Sequence, residues 1–197
     1  MAIKKEKTET RKEQIVSAAL EIIGEEGIQG LTTSRIAKSV GISEANLYRH
    51  FENKDAILTA VVAHIDHTLS GNLRAVTTES ISPLEKLERI FKLHISMIQD
   101  NRGVPRIVFS SETILKTDLR EKMDSLINRY HKLLTDILKK GIRDGSIKSE
   151  LNAEAMAAMF IGMIQFCAMR WTFSNFQISL SVEGRKLWQA YKKIIEA

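Results

Sequence analysis

The stretch Thr32-Thr-Ser-Arg-Ile-Ala-Lys-Ser-Val-Gly-Ile-Ser-Glu-Ala-Asn-Leu-Tyr-Arg-His-Phe-Glu-Asn-Lys-Asp55 reads as two short helices joined by a tight turn, with a longer helix starting at once behind them. Thr32 or Thr33 caps a first helix whose inward face is Ile36, Ala37 and Val40. Gly41 supplies the positive φ of a sharp turn, and Ile42 tucks that turn into a small core. Ser43 is an N-cap residue for a second helix running through Leu47 and Phe51, both read as core. This is the geometry of a helix-turn-helix, whose second helix enters the DNA major groove with its N-terminal residues nearest the base edges. A glycine-containing helical hairpin can imitate it. What argues for DNA is the polar cluster after the turn: Ser43, Asn46, Tyr48, Arg49, His50 and Lys54.

Upstream, Ile15, Ala18, Ala19, Ile22 and Ile23 recur three and four apart, which predicts a helix from Lys12 that ends near Gly27. Lys4, Lys5 and Lys7, with Arg11 and Lys12, read either as phosphate or minor-groove contacts or as a solvated tail. Three helices in about 50 residues are few for independent stability, so this unit should lean on the next helix. Asn53 is the cap expected for that helix, and Asp55 suits its dipole. It runs through Ile57, Leu58, Val61, Val62, Ile65 and Leu69 towards Arg74.

The chemistry of the cluster suggests roles. Thr33, Tyr48, His50 and Lys54 suit phosphate contacts, alongside the free N–H groups at the start of the Lys54 helix. Ser43, Glu44, Ala45 and Asn46 project from the first turn of the reading helix. Asn46 suits a bidentate bond to adenine, and Ala45 a thymine methyl. Glu44 can accept from a cytosine amino group; as an acid near phosphates it reads rather as a capping residue or a screen against wrong sequences. Ser34 and Arg49 are further base or edge contacts, Arg49 the one suited to guanine.

The run Leu47-Tyr48-Arg49-His50-Phe51, then Asn53-Lys54, resembles the TetR family of bacterial transcriptional repressors. So does Gly27-x-x-Gly30-Leu31-Thr32-Thr33-x-x-Ile36-Ala37, with Val40-Gly41-Ile42 following. The resemblance covers roughly residues 10 to 60. It implies a helix-turn-helix domain, residues 1–53, and a helical effector-binding and dimerisation domain, residues 54–197. The segment from Ser39 to Phe51 is also similar to the nucleoid-occlusion branch of the family, which implies the alternative of a DNA-bound factor with a protein partner.

The rest of the chain agrees with an all-α fold. Only two prolines and ten glycines interrupt 197 residues, and no strand alternation or hairpin signal appears. Pro83 starts a helix carrying Leu87, Ile90, Phe91, Leu93, His94, Met97 and Ile98, which ends at Asn101-Arg102-Gly103. A short helix from Pro105 and a longer one, about Asp118 to Lys140, follow, with Gly141 and Asp144-Gly145 expected to end the latter. Asn152 to Ser174 is apolar on nearly every side, so a twin subunit is its natural cover. With the helix from Ser181 to Ile195 it would form an intermolecular four-helix bundle, and a homodimer implies a palindromic double-stranded operator.

An effector pocket is implied by the resemblance. Phe91, His94, Met97, Phe109, Met159, Phe160, Met163 and Phe166 are its candidate lining, although each reads equally well as core. Methionine adapts to varied apolar shapes, so the set suits a small apolar or aromatic effector with one polar end. Gly103 to Thr117 is the candidate moving segment.

Composition bounds the alternatives. A formal charge of +5 suits a nucleic-acid partner without requiring one. The single cysteine, Cys167, excludes an internal disulfide and fits a reducing cytoplasm. The N-terminus has no signal-peptide stretch, and Glu154, Gln165 and Arg170 interrupt the most apolar segment, which argues against a membrane span. His64 and His67 on one helix and His94 on another are too few for a metal site on spacing alone. No nucleophile elbow, phosphate loop or carboxylate pair points to catalysis, and no cofactor is expected.

Overall fold

The structure, a computed structural model, describes residues 2–197, with side chains from Thr8 onward. The side chains of Lys4, Lys5 and Lys7 lie outside the described residues. The described residues form ten α-helices and no strand; a single isolated bridge joins Ile147 to Glu196. They divide into two compact units, one of residues up to 67 together with 101–123, the other of 68–100 together with 124–197. The first unit thus runs past the expected boundary at residue 53 and also takes in a returning segment from the middle of the chain.

The first unit opens with α1, Ala2–Glu26, which begins earlier than the expected start at Lys12. Its inner stripe of Ile15, Ala18, Ala19, Ile22 and Ile23 is buried. A 3-10 turn, Ile28–Gly30, leads to α2, Thr33–Val40, then α3, Glu44–Tyr48, then α4, which starts at Lys54 and reaches Thr77. The Asn53 side chain accepts from the Ala56 amide at 2.8 Å, capping α4 as its sequence suggests. The unit is completed by α6, Gly103–Val108, by α7, Ser111–Leu115, and by the first turns of α8, Thr117–Asp144. Val104 and Ile107 of α6 are buried. The α6 backbone presses on α1: a Cβ built on Gly103 would stand 2.2 Å from the Leu20 carbonyl oxygen. Arg106 donates to the Ile23 carbonyl at 3.4 Å, Gln29 to Glu112 at 3.3 Å, and Lys116 pairs with Asp55. These ties put α6 and α7 with the first unit. The short helix α7 lies beyond what the apolar spacing predicts; Ser110 caps it by accepting from the Thr113 amide.

The second unit holds the ends of α4 and α8 with α5, Pro83–Asp100, α9, Ala153–Phe173, and α10, Leu180–Ile195. Ser82 and Glu85 form a reciprocal capping box at the start of α5: the Ser82 amide donates to the Glu85 carboxylate at 2.9 Å, and the Glu85 amide to the Ser82 hydroxyl at 3.3 Å. Gly141 does not end α8. It is buried inside the helix, and a Cβ there would meet Ile147 at 2.5 Å, so the glycine makes room for a packed side chain. The helix ends instead near Gly145, whose φ of 78° is left-handed. The core is an aromatic cluster. Phe91 meets Phe160 edge-on at 5.5 Å and Trp188 at 5.7 Å, while Phe160 also contacts Tyr191 at 5.9 Å.

By length and composition α9 is apolar enough to cross a membrane. Its inner residues Ala157, Phe160, Ile164, Cys167, Ala168 and Trp171 are instead buried within this unit, and Arg170 pairs with Glu183 of α10 at 2.9 Å. Its other side is open: Met159, Phe166, Met169 and Phe173 are exposed, Phe173 at 81%.

Candidate DNA interface

The turn between α2 and α3 is built as the sequence implies. Thr32, not Thr33, caps α2, its hydroxyl accepting from the Arg35 amide at 3.3 Å. Gly41 adopts φ 72° and ψ 36°, and the Ile42 amide donates back to the Ala37 carbonyl at 2.9 Å, closing the helix end. Ser43 caps α3 by accepting from the Asn46 amide at 3.2 Å. Leu47 is fully buried and Phe51 nearly so; each such side chain favours folding by about 1.5–3 kcal/mol through its removal from water. The helix is shorter than expected. It ends at Tyr48, and Arg49 to Phe51 form turns whose amides donate to Asn46 and Leu47 carbonyls.

The candidates fall into two groups by exposure. Ser34, Ser43, Glu44, Ala45, Tyr48 and Arg49 are exposed, and Arg49 makes no ion pair among the described residues. Thr33, Asn46, His50 and Lys54 are half-buried. Of these, Lys54 donates to the Ile28 carbonyl at 3.3 Å, so it also holds the 3-10 turn in place. His50 has a buried Nδ1 without a hydrogen-bond partner. Thr33, Glu44 and Tyr48 are joined: the Thr33 hydroxyl donates to the Glu44 carboxylate at 3.0 Å and accepts from Tyr48 Oη at 3.4 Å.

One supporting residue was not singled out in the sequence. Arg35 of α2 makes a two-pronged pair with Glu26 at the end of α1, and this pair holds the Glu26 carboxyl below its ordinary range. The spacing of nine residues across a loop gives no local signal for it.

The proposed effector residues are not gathered in one place. Phe91 and Phe160 are packed into the aromatic core. His94 shares a 3.1 Å hydrogen bond with Tyr130, and burial pushes its imidazole down to about 4. Met97 is half-buried on α5, and Phe109, 41% exposed, belongs to the first unit. Met159 and Phe166 face outward from α9 with Met163 half-buried between them, so they do not line an enclosed pocket within this chain. A groove of about 590 Å³ does lie between α5 and α10. Phe91, Ile95 and Trp188 are its buried lining, and its charged lining is Lys92, Arg185 and Lys192 with Glu88, which pairs with Lys92.

A capped helix-turn-helix with exposed polar side chains on its second helix defines a DNA-binding transcription regulator. The chain belongs to the TetR family: the model described as "Bacterial regulatory proteins, tetR family" matches residues 15–61, and that described as "Tetracyclin repressor-like, C-terminal domain" matches residues 80–171. Proteins of this family bind DNA operators, form dimers and are not enzymes. Among its relatives, the nucleoid occlusion factor SlmA of Vibrio cholerae is 26% identical over 181 residues, 90% of this chain and 92% of that one. The fatty acid metabolism regulator protein of Bacillus subtilis is 26% identical over 162 residues, 82% and 84% of the two chains. The solved structure of the transcriptional regulator FadR from Bacillus subtilis in complex with stearoyl-CoA shares the fold, with a TM-score of 0.77 at 24% identity over 93% of this chain and 98% of that one.

Proposed function

We propose that this protein is a cytoplasmic homodimeric repressor, released from a palindromic operator by a mostly apolar ligand with one polar end. The carrying observation is that α6 and α7 are fastened to α1, within the unit that bears the helix-turn-helix, while α5 and most of α8, on either side in sequence, belong to the other unit. A ligand that alters the second unit thereby acts on the chain segments leading into α6 and α8, and a small shift of α6 is a shift of the DNA head. The α5–α10 groove, which includes Phe91 of the expected lining, is the entry we assign to the ligand, with Arg185 and Lys192 meeting an anionic end beside the Glu88–Lys92 pair. The Bacillus relatives support a long acyl compound. Met159, Met163 and Phe166 are assigned to the twin subunit instead, because outward side chains on α9 suit an interface better than a closed pocket.

The experiment is an operator-release titration. Duplexes selected by the protein from a random pool are labelled, and palmitoyl-CoA, palmitate and coenzyme A are added in turn to the complex. Release by the acyl compounds alone supports the reading, and retention of the complex under all three removes it.

A second reading is a DNA-bound factor with a protein partner. The likeness to the Vibrio cholerae factor favours it, together with a groove of about 560 Å³ that carries Lys86, Arg129, Lys132 and Lys140 against a single carboxylate, Asp136. Operator complexes indifferent to acyl compounds but bound by a second protein through that groove would establish it.

A further inference from the structure

Glu44 is an acid at the first position of the helix aimed at a polyanion, and its carboxylate is not needed for capping, since the Ser43 hydroxyl already accepts the Asn46 amide. It is held instead by Thr33, 11 residues earlier, at 3.0 Å. The direction of the two bonds follows from chemistry. An ionised carboxylate only accepts, so Thr33 donates its one proton to Glu44. The contact between Tyr48 and Thr33 at 3.4 Å must then have the tyrosine as donor. The Thr33 proton is therefore turned to the acid, and the Tyr48 proton to the Thr33 oxygen. The network is open to solvent and its outer bond is long, so it can be rearranged.

We propose that Glu44 is a specificity-determining residue, whose carboxylate keeps the Thr33 proton from phosphate until the amino group of a cytosine in the major groove takes its place. On a matching duplex, cytosine N4 donates to the Glu44 carboxylate, and the Thr33 hydroxyl turns to a backbone oxygen. On a duplex without that donor there are two outcomes. Either the carboxylate keeps Thr33 and its phosphate bond is lost, or it releases Thr33 and stands unpaired among phosphates. Both penalties fall on wrong sequences alone, which is discrimination by repulsion as well as attraction.

The inference rests on the DNA-binding reading, and the test separates the two. Duplexes are selected from a random pool by the full chain, and affinity for the selected and a scrambled duplex is measured by fluorescence anisotropy for wild type, Glu44→Gln, Glu44→Ala and Thr33→Val. Matched thermal melts show that the variants fold. Both Glu44 variants should bind the scrambled duplex more tightly, narrow the preference by roughly tenfold, and select a consensus that has lost one cytosine in each half-site. Thr33→Val should weaken the selected duplex more than the scrambled one, because only on the matching duplex is that hydroxyl free to reach phosphate. A selective wild type whose preference and consensus are unmoved in the Glu44 variants overturns the assignment while leaving the DNA reading standing. A wild type with no preference between the duplexes overturns both.

Discussion

Gly24 of α1 and Gly103 of α6 meet backbone to backbone: a Cβ on Gly24 would stand 3.0 Å from the Gly103 amide nitrogen, and one on Gly103 would stand 2.2 Å from the carbonyl oxygen of Leu20. The second distance has no tolerance, because the atom struck is backbone. Gly103→Ala should push α6 off α1 and cost about 1–3 kcal/mol through overpacking. Gly24→Ala should cost less, since its nearest contact, the Gly103 amide nitrogen, lies at 3.0 Å rather than 2.2 Å. If α6 sets the position of the DNA head, Gly103→Ala will also weaken operator binding. Thermal melts beside anisotropy check both halves, and a Gly103→Ala protein that melts and binds like wild type refutes this coupling.

Assembly gives a second prediction. The outward stripe of Met159, Phe166, Met169 and Phe173 on α9, with Val182 and Ile194 on α10, leaves a large apolar surface without cover in one chain. The wild type should be a dimer at micromolar concentration. Phe166→Glu should give a folded monomer, because burying an unpaired carboxylate in the interface costs several kcal/mol while the lone chain keeps it in water. Ile164 is a poorer choice, since it is buried in its own unit and a charge there would damage the fold itself. Light scattering and circular dichroism read the two effects separately; a dimeric Phe166→Glu protein would place the interface elsewhere.

Arg49 and Lys54 should behave differently although both are cations near the same turn. Arg49 is exposed and unpaired, so Arg49→Ala should weaken DNA binding without lowering the melting temperature. Lys54 holds the Ile28 carbonyl, so Lys54→Ala should also lose about 0.5–1.5 kcal/mol of stability. If Lys54 contacts phosphate as well, its removal reduces the salt slope of binding by about one unit. An unchanged slope with lowered stability would confine Lys54 to its structural task. Asn46→Ala should relax preference at one base position by roughly 1–3 kcal/mol, which a repeated selection detects.

The DNA head was legible because its signals are local. Gly41, Ser43 and Leu47 fix a turn, a cap and a core contact within seven residues, and each is found in that role. Gly141 misleads for the opposite reason: the side chain it makes room for, Ile147, lies beyond the end of its helix. The seating of α6 on α1 joins residues more than 80 apart, as in the bond from Arg106 to Ile23, and no spacing rule reaches that far. In α9 the apolar pattern runs round the whole helix, so sequence identifies a covered helix but not which side meets its own chain. On the sequence alone Met159, Phe160 and Phe166 read alike, and only their exposure in the structure separates the first and last from Phe160.

The last prediction concerns acid. His94 and Tyr130 share a hydrogen bond inside the second unit, and loss of hydration pushes the His94 imidazole down from its ordinary 6.5 to about 4. In the folded chain His94 is therefore neutral through a range where the unfolded chain takes up a proton. Stability from this group is fully present above about pH 6.5, falls as pH drops towards 4, and changes no further below that, where both states are protonated. The full loss is about 3 kcal/mol. His94→Gln removes the titrating group while retaining a polar side chain near Tyr130. Between pH 7 and 4.5 the variant should lose less stability than wild type, even if it starts lower. Urea denaturation at several pH values measures the difference directly. Parallel curves for the two proteins would show that His94 titrates alike in the folded and unfolded chains, and the burial argument would fail.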